Sequence, residues 1–144
     1  MAGSLEDRNA IRELSTDYAA AASRKDKQAI AGMFTEDARV TGVAQAVEGG
    51  GDLIGPGAIG EFFGRMFDQI ESVTQMAQPA NIRVSGDAAT SSCDIVEYVK
   101  YGGVPGFVIV VGHYDDELRR TASGWRFFKR ALSFKIFSKV PEAS

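Results

Sequence analysis

The chain has 144 residues, enough for one domain with one core and too few for a second. Hydrophobic residues make up 44% and charged residues 24%, with a net charge of −3; this excludes a disordered chain and gives no long-range pull toward nucleic acid. One cysteine, Cys93, excludes an internal disulfide and a cysteine-built zinc site, and one histidine, His113, excludes a multi-histidine metal site.

Residues 1–3 read as a tag remnant, 4–140 as one domain and 141–144 as a tail. The start carries no apolar run of a signal peptide, and no later stretch is long enough to span a membrane, so the expected location is cytoplasmic. Ser4, with Asp7 three residues on, resembles a capping box, and Ile11, Leu14, Tyr18 and Ala21 recur at helical spacing to about Ser23. Asp17 borders that apolar stripe. A second short helix is predicted from about Asp26, with Ile30, Met33 and Phe34 on one side and its end at Thr35-Glu36-Asp37. Ala38–Thr41 then reads as a short strand, and the glycine run between Glu48 and Asp52 as a turn or hairpin loop. Gly55-Pro56-Gly57 opens a third helix, with proline in the first turn, where its missing N–H costs least. Ile59, Phe62, Phe63, Met66, Phe67 and Ile70 form its apolar stripe.

Everything after Glu71 reads as β. Strands are predicted over about Val73–Val84, Ala88–Lys100, Gly106–Leu118 and Gly124–Phe137. Helices first and long strands later is the α+β order, with helices on one face of an antiparallel sheet. In the last strand Arg126, Phe128, Arg130, Leu132, Phe134 and Ile136 share one face if alternation holds, which sets Arg130 in the middle of an apolar surface. A buried guanidinium keeps its charge and needs a carboxylate or a ligand. Asp17, on the border of the helix stripe, is an acid placed for similar reasons. The two either close the core as an ion pair, or each pairs elsewhere, or they stand as the polar groups of a cavity between sheet and helices.

Several stretches then follow a familiar order. They are Asp17-Tyr18 through Asp26, Met33-Phe34 through Val40, Gly55-Pro56-Gly57 through Phe62-Phe63, Gly112-His113-Tyr114 through Leu118, and Gly124-Trp125 through Arg130. Together they resemble the SnoaL-like branch of the nuclear-transport-factor-2-like superfamily. That resemblance implies a cone, a strongly curved antiparallel sheet packed on three helices from the N-terminal half, with an apolar internal pocket. It also implies chemistry without metal or organic cofactor, of the kind run by polyketide cyclases, scytalone dehydratase, ketosteroid isomerase and dehydrochlorinase. Non-catalytic binders share the fold, as do small subunits of ring-hydroxylating dioxygenases.

By that resemblance Asp17 matches the aspartate that dehydratases and dehydrochlorinases carry late in the first helix. Their partner histidine would fall in Met76–Pro79 and is absent. Arg130 matches the pocket arginine, and Tyr18 the oxyanion tyrosine of ketosteroid isomerase, whose general base is replaced here by Gly42. Asp17, Arg130 and Tyr18 are therefore the expected catalytic group, without metal or cofactor. Tyr114, Phe34, Phe62, Phe63, Met66, Glu97 and Phe134 are the expected pocket residues. Glu97 faces either the cavity, where desolvation would fit it for general-base work, or the outer surface. His113 alternates with Tyr114 and so points outward, toward a sheet face suited to a homo-oligomer of two or three copies. Cys93 reads as a small buried hydrophobe. The expected function is lyase, isomerase or cyclase chemistry on a hydrophobic polyketide-, steroid- or terpenoid-like molecule; the alternative is a non-catalytic binding or oligomerisation module.

Overall fold

The computed structural model describes residues 3–43 and 51–143. Helix α1 spans Leu5–Ser23, and the Ser4 hydroxyl accepts a hydrogen bond from the Asp7 amide at 3.0 Å to cap it. The short α2 covers Lys27–Ala31, capped by Asp26, and leads at once into strand β1, Phe34–Thr41. Thr35-Glu36-Asp37 thus belongs to the strand and does not end the helix. Phe34 opens β1 and closes the core against Phe127, ring centroids 5.5 Å apart. Most of the predicted glycine loop lies outside the described residues. Strand β2, Leu53–Ile54, is a two-residue addition to the expected elements, and α3 follows over Gly55–Asp68 with its proline in the first turn.

The four long strands are β3 (Ile70–Ser85), β4 (Ala88–Tyr101), β5 (Phe107–Thr121) and β6 (Gly124–Val140). With β1 and β2 they form one open, curved six-stranded sheet in the order β2-β1-β6-β5-β4-β3. The expected α+β cone is present, with one difference: β1 runs parallel to β6, pairing Val40 with Arg130, while the other neighbours are antiparallel. The three helices cover the inner face. Asp7 ties α1 to the sheet by accepting from Arg120 at 2.7 Å and from the Trp125 indole at 3.1 Å.

Curvature comes from bulges, which bend a strand and shift its faces by one residue. On β6 the register slips at Phe128 and again at Lys135, each an extra residue opposite β5. Trp125 and Phe127 therefore turn inward with Arg130, whereas Phe128 lies outside under the Arg119 guanidinium and Ile136 is 49% exposed. Strict alternation had placed Arg126, Phe128 and Ile136 inside. Asn81, with φ +54°, carries a similar slip on β3; asparagine tolerates that left-handed conformation better than most residues.

Candidate active site

The strand registers arrange the inner face in rows. One row is Ser91–Asp116–Arg130–Val40, the next Cys93–Tyr114–Leu132, then Ile95–Gly112–Phe134, and finally Gln75–Glu97–Val110–Phe137. Gly112 leaves this face room to close, since a Cβ there would meet Ile95 and the Ser133 carbonyl at 3.3 Å.

The first row is a buried ion pair. Arg130 is 1% exposed and donates through Nε and Nη2 to the two Asp116 carboxylate oxygens, at 2.7 and 3.1 Å. Its guanidinium also lies 3.7 Å from the Tyr114 ring centre, 4.0 Å from Phe127 and 4.5 Å from Tyr18. Burial pushes the guanidinium pKa down, but the Asp116 charge and hydrogen bond, with the neighbouring Tyr114 and Tyr18, together more than offset it and hold Arg130 above its ordinary value. Arg130 is thus buried as its sequence position implies, yet its partner is Asp116. Asp17 points to solvent from α1, because Leu14, Tyr18 and Ala21 take the inward stripe and leave Asp17 on the next face. Asp116 was legible: it alternates with Tyr114 and Leu118.

Above this pair lies an apolar cavity of about 70 Å³. Phe62, Phe63 and Met66 from α3, Leu132 and Phe134 from β6, and Val99 and Val110 form much of its wall. Glu97, Tyr114 and Tyr101 are the lining residues that carry a polar group. Phe34 is core, packed on Tyr18 and Phe127, and is not part of this wall. Tyr18 is 2% exposed and sits behind the wall, its hydroxyl 3.5 Å from that of Tyr114.

Glu97 faces the cavity and not the outer surface. The Gln75 side-chain amide donates to it at 2.6 Å, and the Gln75 backbone N–H in turn donates to Ser23 at 2.8 Å. Burial raises the Glu97 pKa above the usual carboxylate value, with the Gln75 hydrogen bond pulling the other way. Burial likewise raises Tyr114 well above its usual value, so its hydroxyl keeps its proton at any ordinary pH. Glu97 and Cys93 are four residues apart on β4, about 13 Å at ~3.3 Å per residue, and Tyr114 pairs with Cys93. Glu97 and Tyr114 therefore line one apolar chamber from sheet rows two apart. Gln75 escaped the sequence reading, although it shares the inward parity of Val73.

His113 lies on the outer face, hydrogen-bonded to Asp94 at 2.7 Å and Asp115 at 3.1 Å. The Asp94 bond chiefly raises its pKa. Cys93 is buried and unpaired with any other cysteine. Among the described residues no group of three or more His, Cys, Asp or Glu side chains is placed to hold a metal ion, and no helix is long and apolar enough to cross a membrane.

A fold of this kind, with an apolar chamber and a few inward polar groups, defines a class of small α+β cone proteins. The chain belongs to the SnoaL-like domain family, whose pattern matches residues 3–131. It is 28% identical over 137 residues to an uncharacterised protein of Mycobacterium tuberculosis, covering 94% of this chain and 90% of that one. A protein of Novosphingobium aromaticivorans provisionally named an aromatic ring hydroxylase superposes with TM-score 0.83 at 26% identity, covering 96% of both chains. A provisionally named scytalone dehydratase of the same organism gives 0.83 at 18%, covering 97% of this chain and 91% of that one. A hexachlorocyclohexane dehydrochlorinase of Novosphingobium barchaimii gives 0.78 at 21%, covering 94% and 91%. The family match and these superpositions show the SnoaL-like α+β cone.

Proposed function

We propose that the protein moves a proton on a hydrophobic small molecule held in the cone, in an elimination, isomerisation or cyclisation. One observation carries this reading: the Glu97 carboxyl stands on the wall of an apolar cavity, oriented by Gln75. Desolvation makes such a carboxylate a stronger base, suited to remove a proton from carbon near neutral pH. Tyr114, with Arg130 against its ring, donates a hydrogen bond to the oxygen on which negative charge develops. Arg130 and Tyr18 act here as positioning residues, since the cavity wall lies in front of both. Asp17 has no part in this reading. The apolar wall and aromatic side chains favour a flat polyketide-, steroid- or terpenoid-like ligand, and the setting is a cytoplasmic one.

Proton abstraction can be followed without knowing the final product. Hydrophobic cyclic ketones incubated with the protein in heavy water should exchange their α-protons, and Glu97→Gln should slow this about 100-fold or more. Equal rates in the two proteins would remove Glu97 from the mechanism. Ligand binding with no exchange in either would leave a binding module.

A further inference from the structure

The chamber that holds Glu97 is small. Its volume of about 70 Å³ is below the roughly 150 Å³ that accommodates benzene in a dry protein cavity. A hydrophobic ligand of even two rings cannot fit there whole. Beside it, at the open end of the cone, lies a second hollow of about 540 Å³ between the β4–β5 turn and the last residues of β6. Tyr101 and Phe137 are walls of both. The outer hollow is lined by Val104, Pro105, Phe107, Val140 and Pro141, with the charged Lys139 beside them. Val104 is 51% exposed and Phe137 54%, an expensive arrangement unless something apolar covers them.

Resting on the functional reading above, we propose that the two hollows are halves of one site. The reacting end of the substrate enters the inner chamber, and a longer apolar body lies along the outer groove. The substrate class is therefore an elongated molecule, with a polar reacting group at one end and an alkyl chain or fused-ring body of several carbons behind it. A volume of about 540 Å³ falls in the range of ordinary small-molecule pockets, which the inner chamber does not. Continuity points to the occupant: the groove and the chamber share the Tyr101 and Phe137 walls, and the chamber needs a ligand that extends beyond it.

The Lys139 ammonium belongs at the rim, where its stem can cover apolar ligand while its charge stays in water. The Lys100 ammonium donates to the carbonyls of Val104 and Gly106 at 3.2 and 3.1 Å, which fixes the turn forming the groove's far wall. Val104 itself holds no group of the chamber, so its side chain can be changed without touching Glu97 or Tyr114.

The test is calorimetric binding of 2-butanone, 2-hexanone and 2-decanone, whose small polar head fits the chamber, to the wild-type protein, to Val104→Glu and to Glu97→Gln. Affinity for the wild type should rise by up to about fourfold per added methylene. Val104→Glu should flatten that rise while leaving the affinity for the shortest detectable ligand within about twofold. Thermal unfolding of the variant controls for folding, and Val104→Ser serves in its place if Val104→Glu does not fold. A chain-length series unchanged by Val104 substitution, or an affinity independent of chain length, would overturn the groove. Slowed α-proton exchange of the same ketones in Glu97→Gln, with the chain-length rise kept, tests the chamber alone, so a failure of either half is recognised separately.

Discussion

A carboxylate among valines, phenylalanines and tyrosines has few ways to be stable, and Glu97 uses two of them: a short hydrogen bond from Gln75 and a proton held more tightly than in water. Arg130 meets the same difficulty differently, through the bidentate Asp116 pair and three aromatic rings. Breaking that pair from one side leaves a lone buried charge, at a cost of roughly 3–5 kcal/mol. Arg130→Met and Asp116→Asn should each lower the unfolding free energy by that order, and the double variant should lose less than the sum of the two. Additive losses would mean that the two side chains are not coupled. At this scale the sequence was informative about need and less so about partner. A guanidinium in the middle of an apolar strand face demanded a carboxylate, and alternation along β5 offered Asp116. A helix neighbour of Tyr18 drew attention instead, and a rotation of about 100° per residue is enough to send Asp17 into solvent.

Elements were legible in existence and order and less so in facing. The long strands end within a few residues of their predicted limits, because turn glycines and alternation mark them plainly. Alternation fails across a bulge, and no residue type announces one: Phe128 and Lys135 each shift the face of the strand residues beyond them. This has a measurable consequence. Phe127→Ala should cost about 3–5 kcal/mol, and Phe128→Ala less than about 1.5, in chemical denaturation. The opposite order is what unbroken alternation requires, and it would contradict the bulged register. The parallel β1–β6 pairing was hidden for another reason. It joins segments about 90 residues apart, and local pattern carries no information about such pairings.

The whole molecule presents a helix-covered inner face and a bare outer one. On the bare side Met76, Tyr98 and Ile136 are 49%, 44% and 49% exposed, beside half-buried Val96 and Val111. We propose that a second copy covers this face, with His113, Asp94 and Lys135 at its polar edge. Sedimentation velocity should show a dimer or trimer that Ile136→Glu dissociates; a monomer in both proteins would oppose it. His113 adds a pH sign. Its pKa is raised in the folded state, so its stabilising contribution is complete below about pH 6.5 and is lost as pH rises through the folded value. The cone as a whole was foreshadowed by the order of its motifs, whereas the outer groove was not. That groove is built from a turn and a strand end whose residues show no periodic pattern.

The proposed chemistry turns on Glu97 as a desolvated carboxylate that holds and releases a proton inside the cone. Carbon-13 NMR of the glutamate side-chain carboxyls, with Glu97→Gln to assign the signal, reads this directly. The Glu97 midpoint should lie above 4.5, the ordinary value for glutamate, and should rise further when an apolar ligand fills the chamber. The folded state then loses stability as pH climbs above 4.5 through that midpoint, a loss that Glu97→Gln should abolish. A midpoint at or below 4.5, unmoved by ligand, would mean a solvated surface carboxylate and would contradict the proposed chemistry.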